Sequence, residues 1–408
     1  MSSYFNSLNS CLDDFSTRSP FIKYLLPASN LVQDARFFRG RERSAGQPIS
    51  ILMLGRNKRM LYLLSAVFAG EPEQLNLGNI SSFSSRRIIE NHKPDMVIWR
   101  TDSIVRRFGR KQDVLALPEW ISFCRDEPPD FENATKFGDL NRELRSNIVK
   151  LHKNAFSYRI SDNIKDFNLF YYDMYLPYVK KRYDNSAIIC RKNTLKKYFN
   201  HGGRLIFIEK DDEKIAGALC YTTKNTAYFH KLGVINGEIK YLRVGAITAL
   251  YYFWMDWARN NGYKRIDFGA ARPFIRDGIF KFKRKWGMGI HKNADSHSFF
   301  YLRVTKFTPA VFSFLKANPL VFLNNGRLNG FIFSDSDKPL TALDVWNHHK
   351  SFWTPGIDKI HLISAAGFKK GLFDGHIGVV DMSEIRNIYN LVCFQNKTWG
   401  QLVSELYA

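Results

Sequence analysis

The sequence predicts an α/β protein with a mixed β-sheet, and three observations lead to this prediction. Between residues 49 and 99, short apolar runs alternate with amphipathic segments, which indicates a β-α-β-α-β unit. Residues 204–235 hold three consecutive strand patterns that are separated by short polar turns. A nearly all-apolar helix pattern at 247–262 and a further strand pattern at 263–271 follow, so a helical crossover returns the chain to the same sheet.

The composition limits the class of protein. A chain of 408 residues exceeds one ordinary domain, so two or three units are expected. An apolar fraction of 45% with 34 Phe, 19 Tyr and 8 Trp excludes a disordered chain. Sixty Lys and Arg against 38 Asp and Glu give a net charge of +22, which attracts nucleic acid, anionic lipid and phosphorylated ligands alike.

Cysteine usage and hydropathy predict the compartment. The five cysteines show no CxxC spacing, which fits a reduced compartment and argues against a disulfide framework or a zinc ribbon: Cys11, Cys124, Cys190, Cys220 and Cys393. The first 15 residues lack the pattern of a signal peptide. No run reaches the roughly 18–20 apolar residues that span a bilayer, and the nearest, 307–323, is interrupted by Lys316 and Asn318. We therefore expect a cytoplasmic protein, with contact to the inner face of a membrane left open.

The first unit is predicted at 1–135. Its start is expected to be irregular, and strand and helix patterns then alternate. Its strand and helix patterns are, in order, ISILMLG, RMLYLLSAVFAG, QLNLG, SSRRIIENH and DMVIW. This order predicts a small parallel sheet. The loop at 125–139 carries proline, glycine and charge together, which marks it as the boundary.

The second unit is predicted at 136–305 and the third at 306–408. Helix patterns precede the meander in the second unit, the longest of them running from Asp162 to Tyr183. The turns DDE and KN make the meander antiparallel. The third unit mixes helix with the strand patterns DKIHLIS and HIGVVDM, which indicates an α/β extension.

The loop before the apolar helix is a candidate phosphate site. A helix N-terminus binds phosphate through free N–H groups and the helix dipole. Arg243 can pair with a phosphate, Gly245 permits close approach of the backbone, and Ala246 begins the helix. The alternative is an ordinary glycine at a helix start with a surface arginine.

The stretch KRIDFGAARPFIRDGIFKFKRKWG, residues 264–287, is strongly basic and resembles a known family. Strand Asp267-x-Gly269 is followed by a Gly-x-x-x-Phe-Lys-x-x-aromatic-Gly pattern, whose members here are Gly278, Phe282, Lys283, Trp286 and Gly287. With its surroundings at about 140–305, the segment resembles the GNAT acyltransferases, FemAB-like branch. The resemblance implies a GNAT-like mixed sheet flanked by an N-terminal βαβ-type domain and a C-terminal α/β extension.

The resemblance also implies attack of an amine on an activated carbonyl, in most members a thioester. Asp267 would act as general base or hold the amine, and its alternative is to cap the following turn or pair with Arg272. His230 would relay a proton, or else is a packed core histidine, and Tyr228 is expected on the other face of the same strand.

Three further residues of the resembling motif have predicted roles. Lys283 would place a positive charge near the carbonyl or the phosphates, and Phe282 and Trp286 would offer flat surfaces to an adenine or a sugar. The alternative is a basic helix face with an aromatic core stripe. In the family's phosphate loop a Gln or Arg stands where this chain has Leu242, which leaves coenzyme A or aminoacyl-tRNA open as acyl carrier.

The function predicted from these features is acyl-CoA-dependent N-acylation of an amino sugar or amino acid, with acetyl-CoA as the expected donor and no metal. Envelope or surface-polysaccharide synthesis is the expected setting. The first 130 residues do not repeat the GNAT pattern, which favours acyl-CoA over an aminoacyl-tRNA donor. The alternatives are an aminoacyl-tRNA-dependent transferase with tRNA as partner, and a non-catalytic basic module that docks on an anionic membrane through 307–323. His348–His349 lacks a spaced third ligand for a metal site, and GxxxxGK[ST], GxGxxG, HExxH and GxSxG motifs are absent.

Overall fold

The structure is a computed structural model that describes residues 32–55, 60–81, 84–102, 113–128, 142–183, 189–293, 298–378 and 380–407. Cys11 and most of the predicted boundary loop at 125–139 lie outside the described residues.

The strands of the described residues are β1 Val32–Arg41, β2 Pro48–Leu54, β3 Glu73–Ser81, β4 Met96–Asp102, β5 Leu115–Pro118, β6 Ile121–Asp126, β7 Ser157–Ser161, β8 Arg204–Lys210, β9 Glu213–Thr222, β10 Thr226–Val234, β11 Arg265–Ala271, β12 Gly289–Lys292, β13 Ser298–Val304, β14 Leu320–Asn324, β15 Arg327–Ser334, β16 Ile360–Ser364, β17 His376–Ile377, β18 Val380–Asp381 and β19 Tyr389–Cys393. The α-helices of the same residues are α1 Leu61–Val67, α2 Ser85–His92, α3 Arg142–Lys153, α4 Ile164–Leu169, α5 Leu176–Tyr183, α6 Lys192–Asn200, α7 Ile239–Arg243, α8 Ala246–Asn260, α9 Gly278–Lys285, α10 Pro309–Ala317, α11 Ala342–Phe352, α12 Ser383–Arg386 and α13 Trp399–Tyr407.

The predicted long helix is one continuous helical stretch with a π-helical middle. A π-helix at Phe170–Tyr175 joins α4 to α5. Pro177, at the start of α5, has no N–H to donate to a carbonyl in the preceding turn, which favours the wider local geometry. The side chain of Asn163, rather than that of Asp162, caps the start of the stretch by accepting from the Lys165 N–H.

The N-terminal sheet is mixed rather than parallel. Within the described residues its order is β3-β1-β2-β4-β13-β5. Of its described strands, only β2 and β4 pair in parallel, whereas β1 is antiparallel to both β2 and β3. The prediction of a parallel sheet was wrong because β1 lies in a basic segment that was expected to be irregular. The order of strands and helices from β2 to β4 agrees with the prediction.

The central sheet has the order β12-β6-β11-β10-β9-β8-β7 across the described strands. The antiparallel meander β8-β9-β10 is confirmed, and β11 joins β10 in parallel after the helical crossover α8. On the opposite edge of β11, β6 and then β12 are added in antiparallel orientation. The α/β fold with a mixed sheet and an additional N-terminal sheet is thereby confirmed.

Two strands cross the predicted division of the chain at 135 and 305. Strand β6, expected in the first unit, lies in the central sheet, and β13, expected in the second, lies in the N-terminal sheet. Glu119 and Trp120 alone link β5 to β6. The Arg272 guanidinium lies 3.7 Å from the Trp120 ring centroid and 3.8 Å from that of Tyr62. The three-unit division remains a prediction, and each of the two sheets contains a strand from the other predicted unit.

The C-terminal part is an α/β layer. Strand order is β14-β15-β16-β19 in the described residues, with β15, β16 and β19 parallel. The pattern DKIHLIS contains β16, and HIGVVDM contains the short strands β17 and β18. Helix α13 fastens this layer to the N-terminal sheet, because Trp399 Nε1 donates to the Asp113 carbonyl at 2.9 Å and the Ala116 N–H donates to the Tyr407 hydroxyl at 3.1 Å.

The apolar stretch 307–323 is part of the core. Phe314 and Leu315 of α10 are 2% and 0% exposed, and Val321 and Phe322 of β14 are both 0% exposed. These side chains therefore cannot dock on a membrane in this fold, which contradicts the predicted mode of membrane attachment. Among the described residues, no helix is both long and apolar enough to cross a bilayer.

Candidate active site

Strands β10 and β11 form a short ladder and then separate. They pair only from Thr226 with Arg265 to Tyr228 with Asp267. Beyond this point β10 continues beside β9 as far as Val234, while β11 continues beside β6. Their facing edges therefore open into a wedge, where the backbone groups of the two strands no longer pair with each other.

Each strand carries an irregularity directly after the last shared pair. In β10, His230 is the extra residue of a bulge against β9. In β11, the register against β6 shifts between Asp267 and Ala270, and Gly269 has a φ of +68°. The Gly269 N–H donates to Asp267 Oδ1 at 2.6 Å. Asp267 therefore holds the left-handed turn that directs β11 away from β10.

Asp267 lies in a partly buried environment beside several charges. Burial raises the pKa of its carboxyl group, while the Gly269 N–H and the positive charges of Lys283 and Arg265 act in the opposite direction. Arg272 pairs with Glu119 instead of Asp267, with 3.7 Å between Arg272 Nη1 and Glu119 Oε1. One predicted structural alternative, capping of the following turn, is thus present, and the other, pairing with Arg272, is not.

Lys283 is a buried cation at the wedge. Asp277 is the N-cap of helix α9, and its side chain accepts from the Ile279 and Phe280 N–H groups. Lys283 is 3% exposed, and its Nζ donates to the Ala270 carbonyl at 2.8 Å, on the strand that carries Asp267. Burial lowers the pKa of Lys283 to about 7, against the attraction of Asp267.

His230 and Tyr228 point to the same side of β10, not to opposite sides. Both rings contact Tyr221 of β9, at centroid distances of 4.6 Å for Tyr228 and 5.8 Å for His230. Residues two apart in a strand share a face, and the expectation of opposite faces was wrong for this reason. Burial, together with the positive charge of Lys231, lowers the pKa of His230 to about 3, so the ring is neutral.

Trp286 and Phe282 pack on the opposite face of the sheet, against Tyr251 of α8. Trp286 is 1% exposed, so its ring is part of the core and has no open surface for an adenine or a sugar. Phe282 is partly buried against the same core. The aromatic core stripe that was the alternative interpretation describes Trp286 better than the predicted stacking role.

The predicted phosphate loop lies between α7 and α8. Arg243 is exposed at the end of α7, and Gly245, with a φ of +92°, is the N-cap of α8. No side chain caps the first turn of α8 among the described residues, and a Cβ at Gly245 would meet no atom within 4 Å. Ala246 is fully buried, so it contributes no accessible surface to this loop.

Three residues near the wedge were not predicted. Tyr221 could have been found from the sequence, because a two-residue turn at Lys224–Asn225 aligns it with Tyr228. Tyr198 of α6 lies 4.4 Å from the His230 ring centroid, a long-range contact that no local pattern signals. Lys231 of β10 is partly buried, and burial lowers its pKa.

No metal site accompanies these residues in the part of the chain that the structure describes. There, no three His, Cys, Asp or Glu side chains lie close enough together to hold an ion.

Comparisons with known proteins concern the same region. Residues 195–284 match the family model described as an acetyltransferase (GNAT) domain. The chain is similar to the crystal structure of FemX, with 12% identity, a TM-score of 0.36, and coverage of 66% of this chain and 84% of that one. It is also similar to L-PGS from Bacillus licheniformis, with 13% identity, a TM-score of 0.32, and coverage of 70% and 88%. With identities and TM-scores this low, neither of the two structures indicates the activity of this chain. No curated protein matches the chain.

Proposed function

Because the chain contains a GNAT acyltransferase domain of the kind that its motif predicts, we propose that it is an acyl-CoA-dependent N-acyltransferase. The acceptor in this proposal is the amine of an amino sugar or an amino acid, in cell-envelope or surface-polysaccharide biosynthesis. The observation that carries the proposal is the wedge between β10 and β11, which has Asp267 at its apex and the buried Lys283 beside it.

The donor half of the proposed site is the wedge together with the start of α8. The uncapped N–H groups of the first turn of α8 and the exposed Arg243 suit the phosphates of coenzyme A. Gly245 leaves room for them at the backbone. The unpaired edge of β10 beyond Tyr228 would hold the extended arm of the donor and present N–H groups to the acyl oxygen.

The transfer step makes one bond and breaks one. The amine nitrogen attacks the thioester carbonyl, and the C–N bond forms. The C–S bond then breaks, and the second proton of the attacking nitrogen passes to the departing sulfur, so the coenzyme leaves as a free thiol. Asp267 accepts the proton that the ammonium must lose, a task that its raised pKa favours. Lys283 has ammonium N–H groups beyond the one that it donates to Ala270, and these stabilise the negative oxygen of the tetrahedral intermediate.

The test is a thiol-release assay with purified protein, acetyl-CoA and a panel of amino sugars and amino acids. We expect turnover with at least one amine and loss of turnover in Asp267→Asn. The matched control is Asp126→Asn, which removes an exposed carboxylate on neighbouring β6. No thiol release with any amine, combined with no binding of coenzyme A, would refute the proposal.

The second candidate is an aminoacyl-tRNA-dependent transferase. Two observations favour it: the net charge of +22, and Leu242 where a GNAT phosphate loop has Gln or Arg. Binding of charged tRNA should then fall steeply with salt, because each neutralised phosphate releases counterion. Transfer of radiolabelled amino acid from tRNA to an acceptor, without release of thiol from acetyl-CoA, would replace the first proposal by this one.

A non-catalytic membrane module is the weakest alternative. The segment that was expected to touch the membrane is buried, so only the basic surface remains to support it. Flotation with anionic liposomes, together with full biological activity of Lys283→Ala, would be needed to favour it.

A further inference from the structure

Lys231 lies on the face of the central sheet that carries Asp267. After the bulge in β10 it pairs with Leu219 of β9, whereas Tyr228 pairs with Tyr221. Leu219 and Tyr221 are two residues apart in β9, so Lys231 and Tyr228 share one face of the sheet. Tyr228 is also paired with Asp267 of β11, and residues paired across neighbouring strands point to the same face.

The part of β10 that holds Lys231 borders the wedge. Among the described residues, β10 and β11 pair only as far as Tyr228 with Asp267. The register against β9 places Lys231 two residue steps beyond Tyr228, which is roughly 7 Å along the sheet. A lysine and a carboxylate therefore stand on one face of the sheet, one beside the open part of the wedge and the other at its apex.

Lys231 is a cation without a carboxylate partner among the described residues. It is partly buried, and burial lowers its pKa, while the Cys190 thiol acts in the opposite direction. A thiol has an ordinary pKa of about 8.5 and is mostly protonated at neutral pH, so Cys190 is a weak counter-ion. A partly buried ammonium group that lacks a counter-ion is costly to the fold unless a ligand provides one.

A second cation adds to the positive charge of this region. Lys283 Nζ donates to the Ala270 carbonyl of β11, and the positive charge of Lys231 contributes to the lowering of the Lys283 pKa. The attraction between Lys283 and Asp267 offsets one of the two positive charges. The charge of Lys231 remains, and a ligand in the wedge would meet it.

We propose that Lys231 binds an acidic group of the acceptor, so that the acceptor carries a carboxylate or a phosphate in addition to its amine. The inference rests on the proposed function and narrows it, because amino acids and acidic amino sugars fit it whereas a neutral amino sugar does not. The ammonium of the acceptor would meet Asp267, and its acidic group would meet Lys231. Opposite charges would then face each other at both ends of the acceptor.

The acyl donor does not supply this negative charge. In the proposed function, the phosphates of coenzyme A lie at the start of α8, near Arg243 and Gly245. The arm that follows the edge of β10 contains uncharged amides, and an acetyl group has no charge either. The acceptor is therefore the component of the reaction that can neutralise Lys231.

The experiment measures binding of three small amines to the full chain without any acyl donor, by ligand-observed NMR titration. The probes are ethanolamine, β-alanine and phosphoethanolamine, which carry a hydroxyl, a carboxylate and a phosphate on similar two-carbon amines. Salt at about 0.15 M screens the general attraction of a basic protein for anions. We expect each acidic amine to bind about tenfold more tightly than ethanolamine, the effect of one charge-assisted hydrogen bond.

Variants of Lys231 separate its charge from its bulk. Lys231→Met should remove the preference for the acidic amines, and Lys231→Arg should retain it because the charge is kept. Asp267→Asn should weaken all three amines alike. Lys224→Met is the matched control, since Lys224 is an exposed lysine in the turn between β9 and β10, and it should bind the three probes like the wild type.

The inference and the proposed function can fail separately. Equal affinity of the wild type for the three amines, or a preference for acidic amines that persists in Lys231→Met, would overturn the inference even if acyl transfer is observed. A preference that depends on Lys231, without acyl transfer to any amine, would leave the acidic subsite in place and refute the proposed function.

Discussion

Tyr228 and Asp267 are the last residues that β10 and β11 share before the two strands separate. Asp267 also binds the Gly269 N–H and so stabilises the turn that causes the separation. The residue proposed as general base therefore also shapes the site. A substitution at Asp267 tests the catalytic role only if the hydrogen bond from the Gly269 N–H is retained.

Asp267→Asn is expected to abolish most activity while the fold is retained. The amide oxygen of asparagine can still accept the Gly269 N–H, so the free energy of unfolding should change by less than about 1 kcal/mol. The rate of acyl transfer should fall by about 100- to 10,000-fold because the proton acceptor is lost. Urea denaturation and thiol release measure the two effects. Wild-type activity in this variant would show that Asp267 is structural only.

Gly269→Ala should reduce both stability and activity. The added Cβ would be 3.5 Å from the Phe229 carbonyl oxygen, so space is sufficient, but a φ of +68° is strained for alanine by about 1 kcal/mol. Gly326→Ala is the control, because Gly326 has a φ of +83° in a hairpin turn with no atom within 4 Å of the new Cβ. Both variants should lose similar stability in urea. Equal activities of the two would argue that the β11 turn does not position the site.

Lys283→Met tests the burial of a charge. The pKa of Lys283 is about 7 in the folded protein, below its ordinary value of 10.5, so between these values the unfolded chain binds more protons. Wild-type stability should therefore gain from this group as pH rises from about 7 to 10.5, and the variant should lack that gain. Urea midpoints at several pH values measure the difference between the two proteins. Parallel pH profiles of stability would contradict burial of the charge.

The pKa of Lys283 should also set the alkaline limb of the pH–activity profile. If the Lys283 ammonium stabilises the oxyanion, kcat/KM should fall as pH rises through about 7. In Lys283→Arg the cation persists to much higher pH, so the residual activity should lose this limb. His230, with a pKa of about 3, is neutral from pH 5 upward. His230→Gln should therefore leave the position of the alkaline limb unchanged. A limb that moves in His230→Gln would assign it a titrating role.

Trp286→Ala should act on stability rather than on ligand affinity. Removal of a fully buried tryptophan costs about 3–5 kcal/mol, and the ring packs on Tyr251 rather than facing solvent. The milder Trp286→Phe should fold and retain the KM for the acyl donor. A raised KM in that variant, with little loss of stability, would restore the stacking role that the motif suggested.

The meander and the helical crossover could be predicted from the sequence because they depend on local order. Apolar runs, short turns and one helical crossover define β8 to β11, and the motif that resembles the GNAT family includes the buried Lys283. The exchange of β6 and β13 between the sheets could not be predicted, since pairing over more than 100 residues leaves no periodic signal. The motif likewise contains Trp286 without showing which of its aromatic residues face the core.

The two-residue connection between β5 and β6 has a consequence for the chain as a whole. A fragment that starts after residue 135 would lack β6, and the outer edge of β11 would then present unpaired N–H and C=O groups to other molecules. Such a fragment should self-associate rather than behave as a separable catalytic module. In the intact protein, Glu119 and Trp120 connect the N-terminal sheet to the central sheet, and the Arg272 guanidinium packs against the rings of Trp120 and Tyr62. We therefore expect little hinge motion between the two sheets when a substrate enters.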